Sequence, residues 1–469
     1  MSRLACGFLI VTIMIGGLLV LKGTHAETFI SGKTSTVTWA TQYSPYTLTG
    51  DVIIDSGATL TIQPGVTVNF GLYSIIVNGV LNAQGTNNSK IFFSSSAFST
   101  ARIVFKSTST AWNEQLSSGS IIDNAFFYSV PIVIEGSSPK ISNNYFSTTS
   151  NSPITINGGL PIITKNAITF VSSDGIHINY GSPEISLNVI NGAGQSYGIY
   201  NEGTAIISDN NITGCYSGIC AIGHSTIQKN NIMNNVNDGI RSNNSYSLIQ
   251  NNALSKNFVG ISGNGVILNN TIANNNYGLW APNSSESISY NNIFDNAQNV
   301  HLTENASNVN AFYNWWGTTD AVAINQTIWD FKNATNLGML NFIPFLNQTN
   351  PFAPLIQTLI SIPQPSPTAT SEASPTLYIT PTPTSYFTAT PEPTPNTYST
   401  PQITQEPQGT PFSTMGQFSI TEIANLLVIV LAVALSVIII VVINNKSRKA
   451  EKPRSKSKRQ RHKPKKIQS

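Results

Sequence analysis

The sequence predicts an all-β protein whose body is a single-stranded right-handed parallel β-helix, a solenoid of short stacked strands. Three observations predict it. An Ile-x-x-Asn-x-Ile pattern recurs along the body, a Gly-Ile pair keeps step with it, and no segment between them has a helical period. Instances begin at Ile121-x-x-Asn124-x-Phe126 and Ile141-x-x-Asn144-x-Phe146 and run to Ile288-x-x-Asn291-x-Ile293. Their Asn residues are spaced 20, 22, 22, 22, 20, 22, 18 and 21 apart. The second marker appears as Gly175-Ile176, Gly198-Ile199, Gly218-Ile219, Gly239-Ile240, Gly260-Ile261 and Gly278-Leu279.

Each unit holds two or three short alternating apolar and polar segments separated by polar turns, which is the pattern of half-buried strands. One such coil cannot bury its apolar side alone. Stacking coils at about 4.8 Å makes a continuous core, each strand pairing with its counterparts above and below. The recurrent Asn suits this in two ways. Asn tolerates the left-handed conformation of a sharp bend, and identical amides stacked coil on coil can bond in a ladder. A leucine-rich repeat has similar length but needs consensus Leu and a helical half, which are missing. Residues 47–117 fit as the first coils with a different rhythm: Asp51–Ile54, Ala58–Ile62, Val66–Phe70 and Ser74–Val77 are strands divided by Ser56-Gly57, Pro64-Gly65 and Gly79. From Thr47 to Gly317 this makes roughly 13 coils.

The run Leu60-Thr61-Ile62-Gln63-Pro64-Gly65-Val66-Thr67-Val68-Asn69-Phe70, the Asn repeats and a closing Asn314-Trp315-Trp316-Gly317 resemble archaeal and bacterial surface β-helix repeat proteins. The repeat is also similar to those of polysaccharide lyases, alginate epimerases and NosD-type copper-accessory proteins. The resemblance covers residues 47–345. It implies the fold and leaves function open, because this architecture serves adhesins, lyases and structural proteins alike. An open stack of strand edges needs closing, and Ile328-Trp329-Asp330 through Ile343-Pro344-Phe345 is the expected cap.

Composition divides the rest of the 469-residue chain. Residues 1–26 are expected to form an export signal: Arg3, an apolar run from Leu4 to Leu21, and small residues before a cut after Ala26, with an uncleaved anchor as the alternative. The β-helix with its caps takes 27–350. A Pro/Thr/Ser-rich stalk takes 351–418, with 14 of the 25 prolines between Pro351 and Pro411; such a segment is expected to be disordered. A transmembrane helix is expected in 419–443, where Ile423 to Ile443 holds only Asn425 and Ser436 as polar residues. A basic cytoplasmic tail takes 444–469. Charge is segregated accordingly. Residues 27–350 carry 10 Lys/Arg against 16 Asp/Glu, a net of −6, while residues 446–469 carry 12 against one, a net of +11. By the positive-inside rule the β-helix lies outside a single-pass cell membrane. The tail's expected partner is the anionic lipid surface, and no nucleic acid is expected on the acidic body.

Candidate chemistry is sparse. Alternation within Gly-Ile-x-Ile sends the middle residue outward, and stacking makes an external column: Val133, Thr155, His177, Tyr200, Cys220, Arg241, Ser262, Trp280 and His301. His177, Tyr200, Arg241, Trp280 and His301 form a candidate glycan-binding stripe, since flat rings stack on sugar faces and polar tips bond their hydroxyls. The alternative is a varied surface facing solvent. No catalytic residue, metal site or cofactor is assigned. Asp174 and Asp238 lie three coils, roughly 14 Å, apart, beyond the about 5–9.5 Å of a working carboxylate pair. His177 and Cys220 lie two coils apart, about 10 Å, too far to share an ion. Cys215, in a turn, and Cys220, in the outward column, are expected to stay unbridged thiols. Glycan acceptors by motif are Asn87, Asn211, Asn243, Asn269, Asn283, Asn305, Asn325, Asn333 and Asn347. The functional expectation is a non-catalytic surface protein for adhesion, glycan binding or envelope structure. The alternative is an extracellular polysaccharide lyase or epimerase, for which neighbouring His177 and Tyr200 are the candidate base and acid.

Overall fold

A computed structural model describes residues 27–356 apart from 97–98, 148–150, 171, 283–286 and 305–306. The export signal, most of the stalk, the apolar run 419–443, the basic tail, and Asn283 and Asn305 lie outside the described residues. Within the described residues no helix is long and apolar enough to cross a membrane.

The body is a right-handed parallel β-helix with three faces. The first is a sheet of 12 parallel strands, from Val37–Trp39 to Ile288–Ser289. The second runs from Thr67–Asn69 through Ala125–Tyr128 to Asn292–Phe294, and the third from Ile75–Val77 through Ile176–Tyr180 to Ile328–Trp329. The long strand Tyr46–Ile54 pairs with both, joining them into one sheet of 25 strands. Twelve coils stand where the sequence suggests 13, and the stack begins earlier, at Thr28–Thr34, which pairs with Tyr46–Ile54. At the inter-strand spacing the stack rises about 53 Å over its eleven steps.

The inward columns are nearly pure Ile. Ile141, Ile163, Ile185, Ile207, Ile227 and Ile249 on the first face are all 0% exposed, as are Ile168, Ile190, Ile212 and Ile232 on the second. Branched side chains in register on a pleated face fill the interior without gaps. On the third face each repeat glycine lies under the next coil. A Cβ on Gly198 would stand 2.6 Å from the Gly218 carbonyl oxygen, and the same spacing recurs from Gly218 to Gly239. These glycines permit close approach of the coils rather than an unusual backbone angle.

One corner is held by an amide ladder, Asn144, Asn166, Asn188, Asn210, Asn230, Asn252, Asn270, Asn291 and Asn314, all 2% exposed or less. Asn188 shows the pattern. Its Nδ2 donates to Ile163 O at 2.9 Å and Asn210 Oδ1 at 3.0 Å, and its Oδ1 accepts from the backbone N and Nδ2 of Asn166 at 2.9 and 3.0 Å. Every hydrogen-bonding site of the amide is met. A second, shorter ladder runs Asn235, Asn257, Asn275, Asn296, with Cys215 at its head donating its N–H to Asn235 Oδ1 at 3.0 Å.

Two expectations about the Asn column are corrected. First, Asn124 is not in it. Ile122, not Ile121, pairs with Ile141, so Ala125 takes the ladder position and its N–H donates to Asn144 Oδ1. The adjacent Ile121-Ile122 pair admits two registers by pattern, and the repeat match takes the wrong one. Second, the ladder Asn does not carry the left-handed bend. The residue before it does: Asn143, Lys165, Leu187, Asp209, Lys229, Asn251, Asn269, Tyr290 and Tyr313 have φ of +52 to +58°. The amide must point inward to reach its neighbours, which leaves the preceding residue to take the strained angle.

The C-terminal end closes as the sequence suggests. Ile328–Trp329 adds a last strand against Gln298–His301, a six-residue helix Ala321–Gln326 buries Ile324, and Phe342 and Phe345 pack on the core near Trp316. Beyond Phe345 the chain turns back and runs down the outside of the second face as a strap. Asn350 bonds Asn292 in both directions and donates to Asn269 Oδ1 at 2.9 Å, and Phe352 O accepts from Asn251 at 2.9 Å.

These assignments separate two neighbouring positions. Asn166→Gly is expected to destabilise by about 1–3 kcal/mol for each ladder group left unmet. Lys165→Gly is expected to be neutral or to stabilise by up to about 1 kcal/mol, by relieving its left-handed angle. Denaturant midpoints of the two variants measure the contrast, and equal midpoints would contradict the division of labour.

Candidate functional site

The outward column of the third face forms as the alternation dictates. Val133, Thr155, His177, Tyr200, Cys220, Arg241, Ser262, Trp280 and His301 are successive register partners, and the column continues to Trp329. Trp329 escapes sequence reasoning because the chain between His301 and Ile328 has no Gly-Ile marker to carry the count. The five stripe residues are not one continuous set. Cys220 separates His177 and Tyr200 from Arg241, and Ser262 separates Arg241 from Trp280.

At the C-terminal end three rings stack. Trp280 and His301 lie 4.2 Å apart at 1°, and His301 and Trp329 lie 5.7 Å apart at 5°. Tyr277 stands on edge to Trp280 at 4.6 Å, and Phe258 on edge to Tyr277 at 5.4 Å. Burial holds His301 below its ordinary pKa, and its Nδ1 lies 2.8 Å from Gln298 Oε1. Beside this stack a groove of about 420 Å³ is floored by Ser262 and Gly263 and bounded by Arg241, Asp238, Phe258 and Trp280. The small floor residues create it: bulky neighbours one coil above and below stand proud of Ser262. Arg241 is exposed and makes no ion pair among the described residues. Asp238 is buried and accepts from Ser217 Oγ at 3.2 Å and Asn237 Nδ2 at 3.1 Å; burial raises its pKa, opposed by hydrogen bonding to Ser262 and Ser217 and by the Arg241 charge.

A second cluster surrounds His177. Its Nδ1 meets Asp174 Oδ2 at 2.7 Å and its Nε2 meets Asn179 Oδ1 at 3.0 Å. Asn179 Nδ2 donates to Asn157 Oδ1 at 2.6 Å, which leaves its oxygen to accept. Both ring nitrogens therefore face acceptors, and the doubly protonated imidazolium satisfies both. The bond to Asp174 is the leading cause that raises the His177 pKa, ahead of Asn179 and the nearby Glu202 charge, with desolvation opposing. Tyr200 stacks on the ring at 4.8 Å and donates to Glu202 Oε1 at 2.7 Å, which pushes its pKa to about 12. The sequence offers no sign of the Asp174 contact, because Asp174 lies in the turn before the strand.

Cys215 and Cys220 are both free, as expected from their opposed directions. Cys215 points into the core, and Cys220, although in the outward column, is only 2% exposed. Burial raises their pKa values to about 12 and 11. Of the sequon asparagines in the described residues, Asn87, Asn243, Asn325, Asn333 and Asn347 are exposed. Asn211 is 5% exposed and accepts from Asn231, and Asn269 accepts from the strap.

A family model described as periplasmic copper-binding protein (NosD) matches residues 161–329, the stretch that holds the column from His177 to Trp329. Among solved structures, a point variant of the periplasmic alginate epimerase AlgG aligns at 14% identity with a TM-score of 0.34, covering 62% of this chain and 77% of that one. The unaltered AlgG enzyme aligns at 14% identity with a TM-score of 0.30 and the same coverage. No curated protein matches the chain by sequence.

The residues of the column do not fit a copper site. Metal-binding thiols and imidazoles must offer a deprotonated donor atom. Both nitrogens of His177 are engaged, and Cys215 and Cys220 are held as buried thiols. Among the described residues no three His, Cys, Asp or Glu side chains stand close enough to hold an ion.

The His177 cluster has a defined pH signature. A histidine whose folded pKa is raised adds stability that is fully present below its unfolded value and is lost as pH rises through the folded value. Asp174→Asn is therefore expected to lower Tm more at pH 6 than at pH 9, and to move the His177 titration, followed by NMR of the ring protons, downward. An unmoved titration would show that Asp174 does not hold the proton.

Proposed function

We propose that the chain is a non-catalytic cell-surface protein whose β-helix binds a glycan along the third face. The observation that carries this reading is the Trp280–His301–Trp329 stack opening onto the Ser262 groove. Flat rings with apolar faces and polar edges suit sugar rings, and exposed Arg241 offers a charged donor beside them. The stack sits on strands, whose paired backbones fix ring positions better than loops would.

The His177 cluster is what would favour a lyase or epimerase. A general base needs a nitrogen free to take a proton near neutral pH, and here both nitrogens already face acceptors. Tyr200, the matching acid, is tied to Glu202 and shifted away from neutrality. These features support binding over catalysis. Membrane anchoring rests on the apolar run Ile423–Ile443 and the net +11 tail, with NosD-type proteins described as periplasmic.

Two experiments test this reading. Residues 27–356, screened on a glycan array and followed by tryptophan fluorescence, are expected to bind without shortening the polymer. Trp280→Ala should weaken binding at least about tenfold, equivalent to about 1.4 kcal/mol. Unchanged affinity in that variant, or release of unsaturated or shortened chains, would overturn the proposal. For topology, protease added to intact cells is expected to remove the body and leave a small membrane-held fragment carrying the tail; a protected body would refute the anchor.

A further inference from the structure

The strap leaves a contrast on the second face. Its outward column includes Asn292, Thr271, Ala253, Asn231 and Asn211, in register one coil after another. All five are buried, with exposures of 3–7%, although they point away from the core. The strap accounts for this at both ends: Asn350 bonds Asn292, and Pro351 to Leu355 line a groove of about 580 Å³ with Asn211, Asn231 and Ala253.

Toward the N-terminus the same column continues as Val189, Ala167, Tyr145, Phe126 and Phe92. Here the outward residues turn apolar, and the strap, as far as the described residues run, does not reach them. The first four are half-buried and Phe92 is 44% exposed. Phe126 stacks on Tyr145 at 5.0 Å and meets Phe92 at 5.9 Å, so the track is a continuous apolar ridge rather than scattered side chains. It lies directly ahead of the strap, whose Leu355 shares a groove with exposed Leu187.

The chain that follows Ile356 has the length and chemistry to cover it. Gln357-Thr358-Leu359-Ile360-Ser361-Ile362 is uncharged, as is the whole run from Pro351 to Ser371, and Pro363 ends it. From Val189 to Phe92 is four coils, about 19 Å, and six extended residues span about 20 Å. We propose that residues 357–362 continue the strap and dock on the apolar track, with Ile360 over Tyr145 and Ile362 near Phe126, and Leu359, on the alternate side, flanking Ala167. The occupant is this chain's own segment because the track is continuous with an interface that the preceding residues already make. Docking there would lock the outer surface from the Asn292 coil to the Phe92 coil with one strand of chain, and would start the proline-rich segment beside the Phe92 coil.

The test uses the full-length chain. Ala167→Cys paired with Leu359→Cys, and Tyr145→Cys paired with Ile360→Cys, are oxidised and the free thiols counted by mass. Bridging needs Cα atoms within about 7 Å, so docking predicts intramolecular cross-links in at least one pair, formed faster than in an Ala167→Cys, Thr384→Cys control. In parallel, Leu359→Ser, Ile360→Ser and Ile362→Ser combined should lower Tm by several degrees, about 2–4 °C for each kcal/mol lost in a body of this size. Leu377→Ser with Tyr378→Ser should leave it unchanged. Cross-linking no faster than the control, with an unmoved Tm in the triple variant, overturns the proposal. Cross-linked dimers through Ala167→Cys would also overturn it, by assigning the track to a second copy.

Discussion

The structure depends on the coil-to-coil hydrogen bonding of the ladder asparagines. A solenoid of short strands turns three corners in every coil, and at each corner the backbone leaves its ladder. At the principal corner the ladder from Asn144 to Asn314 replaces the missing bonds: from Asn166 to Asn291 each Oδ1 takes two donors from the coil before, and each Nδ2 finds a carbonyl there and an amide oxygen in the coil after. Because every member is both donor and acceptor, an amide is satisfied only if its neighbours are present. That makes the corner cooperative along the axis and fixes the vertical register of the whole stack. A chain with only 10% charged residues and no disulfide between Cys215 and Cys220 depends on this lattice together with its Ile columns.

The fixed register decides what the outer face can offer. Since Ile and Gly hold the inward and close-approach positions of the third face, the residue between them projects outward at one constant spacing. Identity there is unconstrained by packing, so it can be rings at one coil and Ser262 at the next. The Trp280–His301–Trp329 stack and the Ser262 groove follow from that freedom. They are rigid because the strands beneath them pair on both sides, except at Ile328–Trp329, where the cap supplies the last strand. His177 shows the other use of the same position. Asp174 and Asn179 meet its two ring nitrogens, and Tyr200 stacks on its ring.

The C-terminal segment does more than close the end of the stack. Phe342 and Phe345 cover the last coil near Trp316, and the following residues return along the second face, turning outward-facing Asn292 and Asn211 into buried groups with partners in Asn350 and Asn231. The strap thus converts one face of a polar surface into an interior. It also explains why the sequons at Asn211 and Asn269 lie against the returning chain, where Asn269 meets Asn350, rather than in open solvent.

The sequence by itself determined the solenoid, its axial order and the outward column. Those follow from strict local periodicity: His177 stands between Ile176 and Ile178, and alternation alone sends it outward. The closing role of residues 328–345 was equally legible, because a stack of strand edges must end on something. What only the tertiary structure decided are contacts between coils whose partners sit about twenty residues apart with no pattern of their own. Asn124 matched the repeat yet missed the ladder, since the Ile121-Ile122 pair left the register open until Ile122 met Ile141. The left-handed angle fell on Lys165 and Leu187 rather than on the Asn after them, because only three-dimensional stacking forces the amide inward. Asp174 reached His177 from a turn, Trp329 joined the stack across an irregular cap, and the strap buried Asn211, each through a contact that periodicity does not encode. Local pattern sets which way a side chain points; the neighbouring coil sets what it meets.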